Sequence, residues 1–149
     1  MQRKKYAVQI NAPKEKVWQV LWSDDHYQKW TAVFCEGSYA ESDWQEGSRI
    51  RFLSPSGSGM YSTIVKKEEP RFISFRHDGE MKDGIELPLD DKSRQWAGAT
   101  ENYTLSEDNG STELIVDMDL IESHEAYFDE HFPKGLQLVK ELAEVKGEM

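Results

Sequence analysis

Basic residues, cysteines and long apolar runs are scarce in this sequence. Its 149 residues carry 18 Lys and Arg against 28 Asp and Glu, a formal net charge of −10. A nucleic-acid binder presents a basic face to phosphate, so that partner class is disfavoured. An anionic membrane surface is disfavoured for the same reason. The single cysteine, Cys35, has no partner for an internal disulfide, and nothing points to an oxidising compartment. With no histidine near it in sequence, Cys35 reads as a small buried hydrophobe. No apolar stretch approaches the roughly 18 residues of a membrane span. Residues 1–10 contain Arg3, Lys4 and Lys5 but turn polar before any apolar run forms, unlike a signal peptide. The expectation is a cytoplasmic chain without a membrane span.

Cofactor signatures are also missing. Residues 54–60, SPSGSGM, lack the strand-to-helix Gly-x-Ser-x-Gly of a nucleophile elbow and the spaced glycines of a dinucleotide fingerprint. His124 and His131 lie seven residues apart on an expected helix, a rise of about 10 Å, too far to share one ion. No cofactor and no metal is expected.

The pattern that is present begins with Tyr6, Val8 and Ile10, which alternate as in a half-buried strand. Asn11 suits a helix cap and Pro13 a first helical position. Val17, Trp18, Leu21 and Trp22 then recur at helical spacing, and residues 23–25 end that helix and cap a shorter one reaching Trp30. From residue 33 to 119 the pattern is that of strands. Residues 33–35 begin one that Tyr39 extends, and Ile50 and Phe52 alternate in the next. Residues 60–69 form a strand ended by Pro70, and Ile73, Phe75 and His77 share a face after it. Residues 99–107 and 112–120 pair as a hairpin about Asp108, Asn109 and Gly110. Residues 78–98 read as one long exposed loop, of a length common in lids and binding elements. Residues 123–147 form a helix with Phe128, Phe132, Leu136, Val139 and either Leu142 or Ala143 on one face. Pro133 predicts a kink or break just before it. Consecutive strands joined by short turns favour an antiparallel sheet, and the last helix is its cover. No linker divides residues 1–149, so a single domain is expected.

This order resembles the SRPBCC superfamily, also called START-like or birch-pollen-allergen-like domains. The resemblance rests on Ala12, Pro13, Glu15, Val17 and Trp18, with Trp30 twelve residues on. Gly47 before a strand, Pro70 before RFISF, and NGSTEL before the last strand carry it across nearly the whole chain. Within the superfamily the chain is similar to the branch related to the activator of the 90-kDa heat-shock chaperone's ATPase. The resemblance implies an α+β helix-grip fold: two short helices after the first strand, and a curved antiparallel sheet of about six or seven strands wrapped around the long C-terminal helix. It also implies a cavity between sheet and helix, guarded by the first helices and a strand-connecting loop. Trp18 and Trp22 then read as packing.

Apolar walls with a few convergent polar groups make a small-molecule site. Alternation offers Phe52, Phe75, Val116, Met118, Phe128 and Phe132 as walls, with Trp30 and Tyr61 beside them; the same residues would also fill a solid core. His77, Glu101 and Tyr103 are the polar candidates. Facing inward they could supply acid–base chemistry; at strand ends they would sit in solvent. Three functions follow. The leading one is binding of a hydrophobic or amphipathic small molecule, lipid-like or aromatic. The second is a polyketide-cyclase-like or hydrolase-like enzyme using His77, Glu101 and Tyr103, and a non-enzymatic role leads over it. The third is a chaperone-linked interaction protein, with a protein partner or a homodimer.

Overall fold

The computed structural model describes residues 1–145. The elements, in order, are β1 (Gln2–Ile10), α1 (Lys14–Trp22), α2 (Asp24–Thr31), β2 (Tyr39–Glu41), β3 (Arg49–Leu53), β4 (Gly59–Glu68), β5 (Phe72–Lys82), β6 (Ile85–Glu86), β7 (Thr100–Asp108), β8 (Ser111–Leu120) and α3 (Glu122–Ala143). All strands pair antiparallel in one sheet, ordered β1-β8-β7-β5-β4-β3-β2, with β6 paired to β5. The α+β helix-grip architecture is therefore present, with α1, α2 and α3 on the inner face of the sheet.

Period-two alternation sorts the sheet. Ile50, Ile64, Ile73, Phe75, Leu105, Leu114 and Val116 are buried on the inner face, and their neighbours in sequence point outward. The long helix meets this face with Phe132, Gly135, Leu136, Val139 and Ala143. Phe132 stacks on Tyr6 of β1 with ring centroids 5.1 Å apart. Gly135 lies where α3 comes close to α2: a Cβ there would touch the Trp30 ring and Val33, each at 3.4 Å. Trp30 is in turn fixed by its Nε1, which donates to the Leu21 carbonyl at 3.0 Å. The β7–β8 hairpin closes on Asn109 and Gly110 at φ 54° and 79°; glycine and asparagine tolerate that left-handed region best.

Several local expectations are corrected. Pro13, not Asn11, caps α1, and the Asn11 backbone N–H is taken by Glu144. Residues 33–35 are a turn after α2 rather than a strand. The stretch 78–98 is not one loop, because β5 runs on to Lys82 and turns back through Asp83 and Gly84 into β6. α3 continues through Pro133 without a break. Pro133 and Asp129 are both exposed, so the carbonyl that loses its helical donor can turn to water. Residues 146 and 147, expected to belong to this helix, lie outside the described residues.

Leu136 is 2% exposed, so Leu136→Ala should lower the unfolding free energy by about 2–5 kcal/mol in urea titration. Pro133→Ala should do the opposite and raise it by about 1 kcal/mol or more, because it restores the missing helical hydrogen bond on an exposed surface.

Candidate functional site

Between the sheet and α3 the core is not filled. A cavity of 310 Å³ is walled by Trp22, Tyr27, Trp30, Phe34, Phe52, Phe75, Tyr103, Phe128 and Phe132. The volume is in the range that holds a small molecule. Its border includes the exposed residues Cys35, Ser58, Gly59 and Tyr127. Phe75 is the central wall: Phe52, Trp22 and Tyr103 meet its ring edge-on at 5.3, 5.4 and 6.1 Å between centroids.

One polar chain enters this apolar space. Ser62 Oγ lies 2.8 Å from His77 Nδ1, and His77 Nε2 lies 3.1 Å from Glu101 Oε1. The Tyr103 hydroxyl donates to Glu101 Oε2 at 2.5 Å. Facing a carboxylate, Nε2 is the nitrogen that carries the ring proton, and Nδ1 then accepts from Ser62. The members occupy inward register positions: Ser62 and His77 face each other across β4 and β5, and Glu101 lies opposite both Phe75 and Met118.

Pairing on both sides of β5 fixes His77. The β4–β5 ladder slips between Tyr61 and Ser62, so that Asp78 is an extra residue. Its carboxylate turns outward to Thr63, Arg76 and Arg49. Burial opposes that charge, but the hydrogen bonds from Thr63 and Arg76 outweigh burial and hold the Asp78 carboxyl below its ordinary value. On the other edge, His77 N–H donates to the Ala99 carbonyl and Gly98 N–H donates to the His77 carbonyl, each at 2.8 Å. A bulge of this kind re-aims side chains beside it.

The sequence-derived residues distribute as follows. Trp30, Phe52, Phe75, His77, Glu101, Tyr103, Phe128 and Phe132 line the cavity. Met118 lines an adjoining space with His77, Glu101 and Phe128. Val116 is fully buried but lies outside both spaces. Tyr61 is a correction. It stands on the outer face, where its hydroxyl donates to the Leu87 carbonyl at 2.9 Å and its ring covers Gly79. Alternation sends Met60, Ser62 and Ile64 inward, so the aromatic between them must point out. Cys35 is likewise corrected, from a buried hydrophobe to an exposed residue at the cavity border.

Other lining residues carry weaker sequence signals. Trp22, read as packing, lines the cavity, and its Nε1 is buried without an acceptor among the described residues. Tyr27 and Phe34 also line it. Ser62 is 0% exposed; the alternation of Met60, Ser62 and Ile64 was its only signal. Among the described residues, no three His, Cys, Asp or Glu side chains are grouped to hold a metal ion.

Ser62, His77 and Glu101 have the residue types of a nucleophilic triad, yet Ser62 is absent from the cavity surface. Its hydroxyl can fix the His77 tautomer but cannot reach a substrate. What the site can do is hold an apolar body, accept a hydrogen bond at Glu101 and shuttle a proton through His77.

Burial pushes the Tyr103 hydroxyl well above the ordinary tyrosine range, and the Glu101 charge adds to it; Tyr27 is raised for the same reasons. A tyrosine whose folded value exceeds its unfolded value of about 10 stabilises fully below that pH, and the contribution is lost as pH climbs through the folded value. Urea midpoints should therefore fall steeply above about pH 10. Tyr103→Phe should flatten part of that fall, while costing about 1–3 kcal/mol at neutral pH by leaving Glu101 Oε2 short of a donor.

The Aha1 dimer from Colwellia psychrerythraea superimposes with TM-score 0.74 at 19% identity, covering 99% of each chain. Protein MLL2253 from Mesorhizobium loti gives 0.73 at 14% identity, over 95% of this chain and 96% of that one. CalU16 from Micromonospora echinospora gives 0.65 at 15% identity, over 95% and 76%. At these identities the likeness is one of fold. No curated protein matches the sequence. The profile of a family described as Activator of Hsp90 ATPase homolog 1-like protein matches residues 11–144. The chain belongs to this Activator of Hsp90 ATPase homolog 1-like family, within the SRPBCC superfamily.

Proposed function

We propose that the chain binds a hydrophobic or amphipathic small molecule, lipid-like or aromatic, in the cavity between the sheet and the C-terminal helix. The observation that carries this reading is the 310 Å³ space walled by aromatic side chains around one polar chain. A purely structural core packs close to crystal density and leaves few voids larger than a water molecule. Burying apolar ligand surface there contributes roughly 25 cal/mol per Å², and Glu101 with His77 sets orientation.

A second reading is favoured by one specific observation. His77, Glu101 and Tyr103 meet within hydrogen-bond reach at one cavity, as an acid–base enzyme of the cyclase type requires. In that reading Glu101 takes a substrate proton and His77 relays it. The chaperone-linked reading expected a filled core, and the cavity weighs against it. The Colwellia relative is described as a dimer, which supports a homodimer here as part of the proposal. No helix among the described residues is long and apolar enough to cross a membrane.

Native mass spectrometry of freshly purified protein tests the binding reading. The expected result is a population heavier than the chain by one small molecule, which denaturing extraction releases and identifies. A bare chain that also fails to take up added naphthalenemethanol would contradict the proposal. Glu101→Gln separates the two readings: turnover of an extracted ligand that the variant loses while still binding it assigns catalysis.

A further inference from the structure

The cavity does not end at its aromatic lobe. A second lobe of 340 Å³ adjoins it. Gly59, Met60, His77, Glu101 and Phe128 border both. These residues form a waist, and Glu101 is the carboxylate that faces both sides of it.

The charges around that waist do not balance. The aromatic lobe is lined by no lysine or arginine among the described residues. Lys92, exposed on the connection between β6 and β7, is the one such residue bordering the second lobe. Asp119 in that lobe is already paired with Arg3 at 2.8 Å. Glu80 makes no ion pair among the described residues. Glu101 is held by the Tyr103 hydroxyl and the His77 ring, neither of which is a permanent cation. Each of its oxygens has one such partner, which leaves acceptor capacity toward the cavity.

A carboxylate set among aromatic faces complements one chemical class. The carboxylate supplies the opposite charge, and the rings attract a cation through their negative faces, more strongly when water is excluded. An anionic head group would face Glu101 with like charge in a poorly screened space.

We propose that the ligand is an amphiphilic organic cation. Its ammonium head sits against Glu101 at the waist, and its apolar body occupies the lobe walled by Trp22, Trp30, Phe34 and Phe75. This rests on the reading of the cavity as a ligand site and names the class of ligand it selects.

Calorimetric titration with three probes that share one ring system tests it: 1-naphthylmethylamine, 1-naphthalenemethanol and 1-naphthoate at pH 7. The ammonium should bind about tenfold more tightly than the alcohol, and the carboxylate should bind most weakly. In Glu101→Gln the advantage of the ammonium over the alcohol should shrink to about twofold. A net charge of −10 attracts any cation to the surface; the near-isosteric substitution removes a single charge and so separates the site from that field. If the carboxylate binds as well as the ammonium, or the ammonium keeps its advantage in Glu101→Gln, the inference is overturned while the cavity reading stands. If the alcohol does not bind either, the cavity reading fails and takes this inference with it. Should the variant not fold, the ranking is repeated on the wild-type protein at about 0.5 M salt, which screens the surface field: an ammonium advantage that persists supports the site, and its loss overturns the inference.

Discussion

A carboxylate among aromatic rings is stable only when donors hold its oxygens, and much of this structure is arranged to meet that condition. Removing such a group from water without partners costs several kcal/mol. Glu101 meets Tyr103 at one oxygen and His77 at the other, and Ser62 completes the chain behind His77. All four residues must face inward on adjacent strands for this to work. The ladder slip at Asp78, the outward pull of Arg49, Thr63 and Arg76 on Asp78, and the return of residues 98 and 99 along β5 together aim His77 at Glu101.

The packing of α3 leaves the interior hollow beside the polar chain. α3 approaches α2 closely at Gly135 and packs its C-terminal half tightly with Leu136, Val139 and Ala143. Its N-terminal half instead presents Tyr127, Phe128 and Phe132 to the cavity. Large planar rings meeting edge to face, as Phe75 does with Phe52 and Tyr103, stand as walls and leave space between them. A tightly packed end and an open end on one helix are what a helix-grip domain needs to be both stable and receptive.

The fold was legible because strand alternation and helical spacing survive in the sequence. Ile73, Phe75 and His77 share a face by period two, as do Glu101, Tyr103 and Leu105, and the structure turns both sets inward. What stayed hidden depends on contacts distant in sequence. Tyr61 is aromatic and half-buried, yet it covers Gly79 on the outer face, and residue type alone does not show its phase. Ser62 looks like a surface serine until its partner fifteen residues on is known. Phe34 and Cys35 were read as strand because residues 33–35 are apolar, whereas tertiary packing of α2 against α3 bends them into a turn at the cavity border. Asp83 and Gly84 read as loop composition but close a hairpin, so β5 extends well past the point where the charged run begins.

The proposed binding requires the aromatic space to be open and receptive. The five tryptophan indole N–H resonances of the ¹⁵N-labelled protein test it most directly when naphthalenemethanol is added. Saturable shifts should be largest for Trp22 and Trp30, which line the cavity, and smaller for Trp18 and Trp44, which do not. Indole resonances of Trp22 and Trp30 that stay unmoved at the highest probe concentration would contradict it.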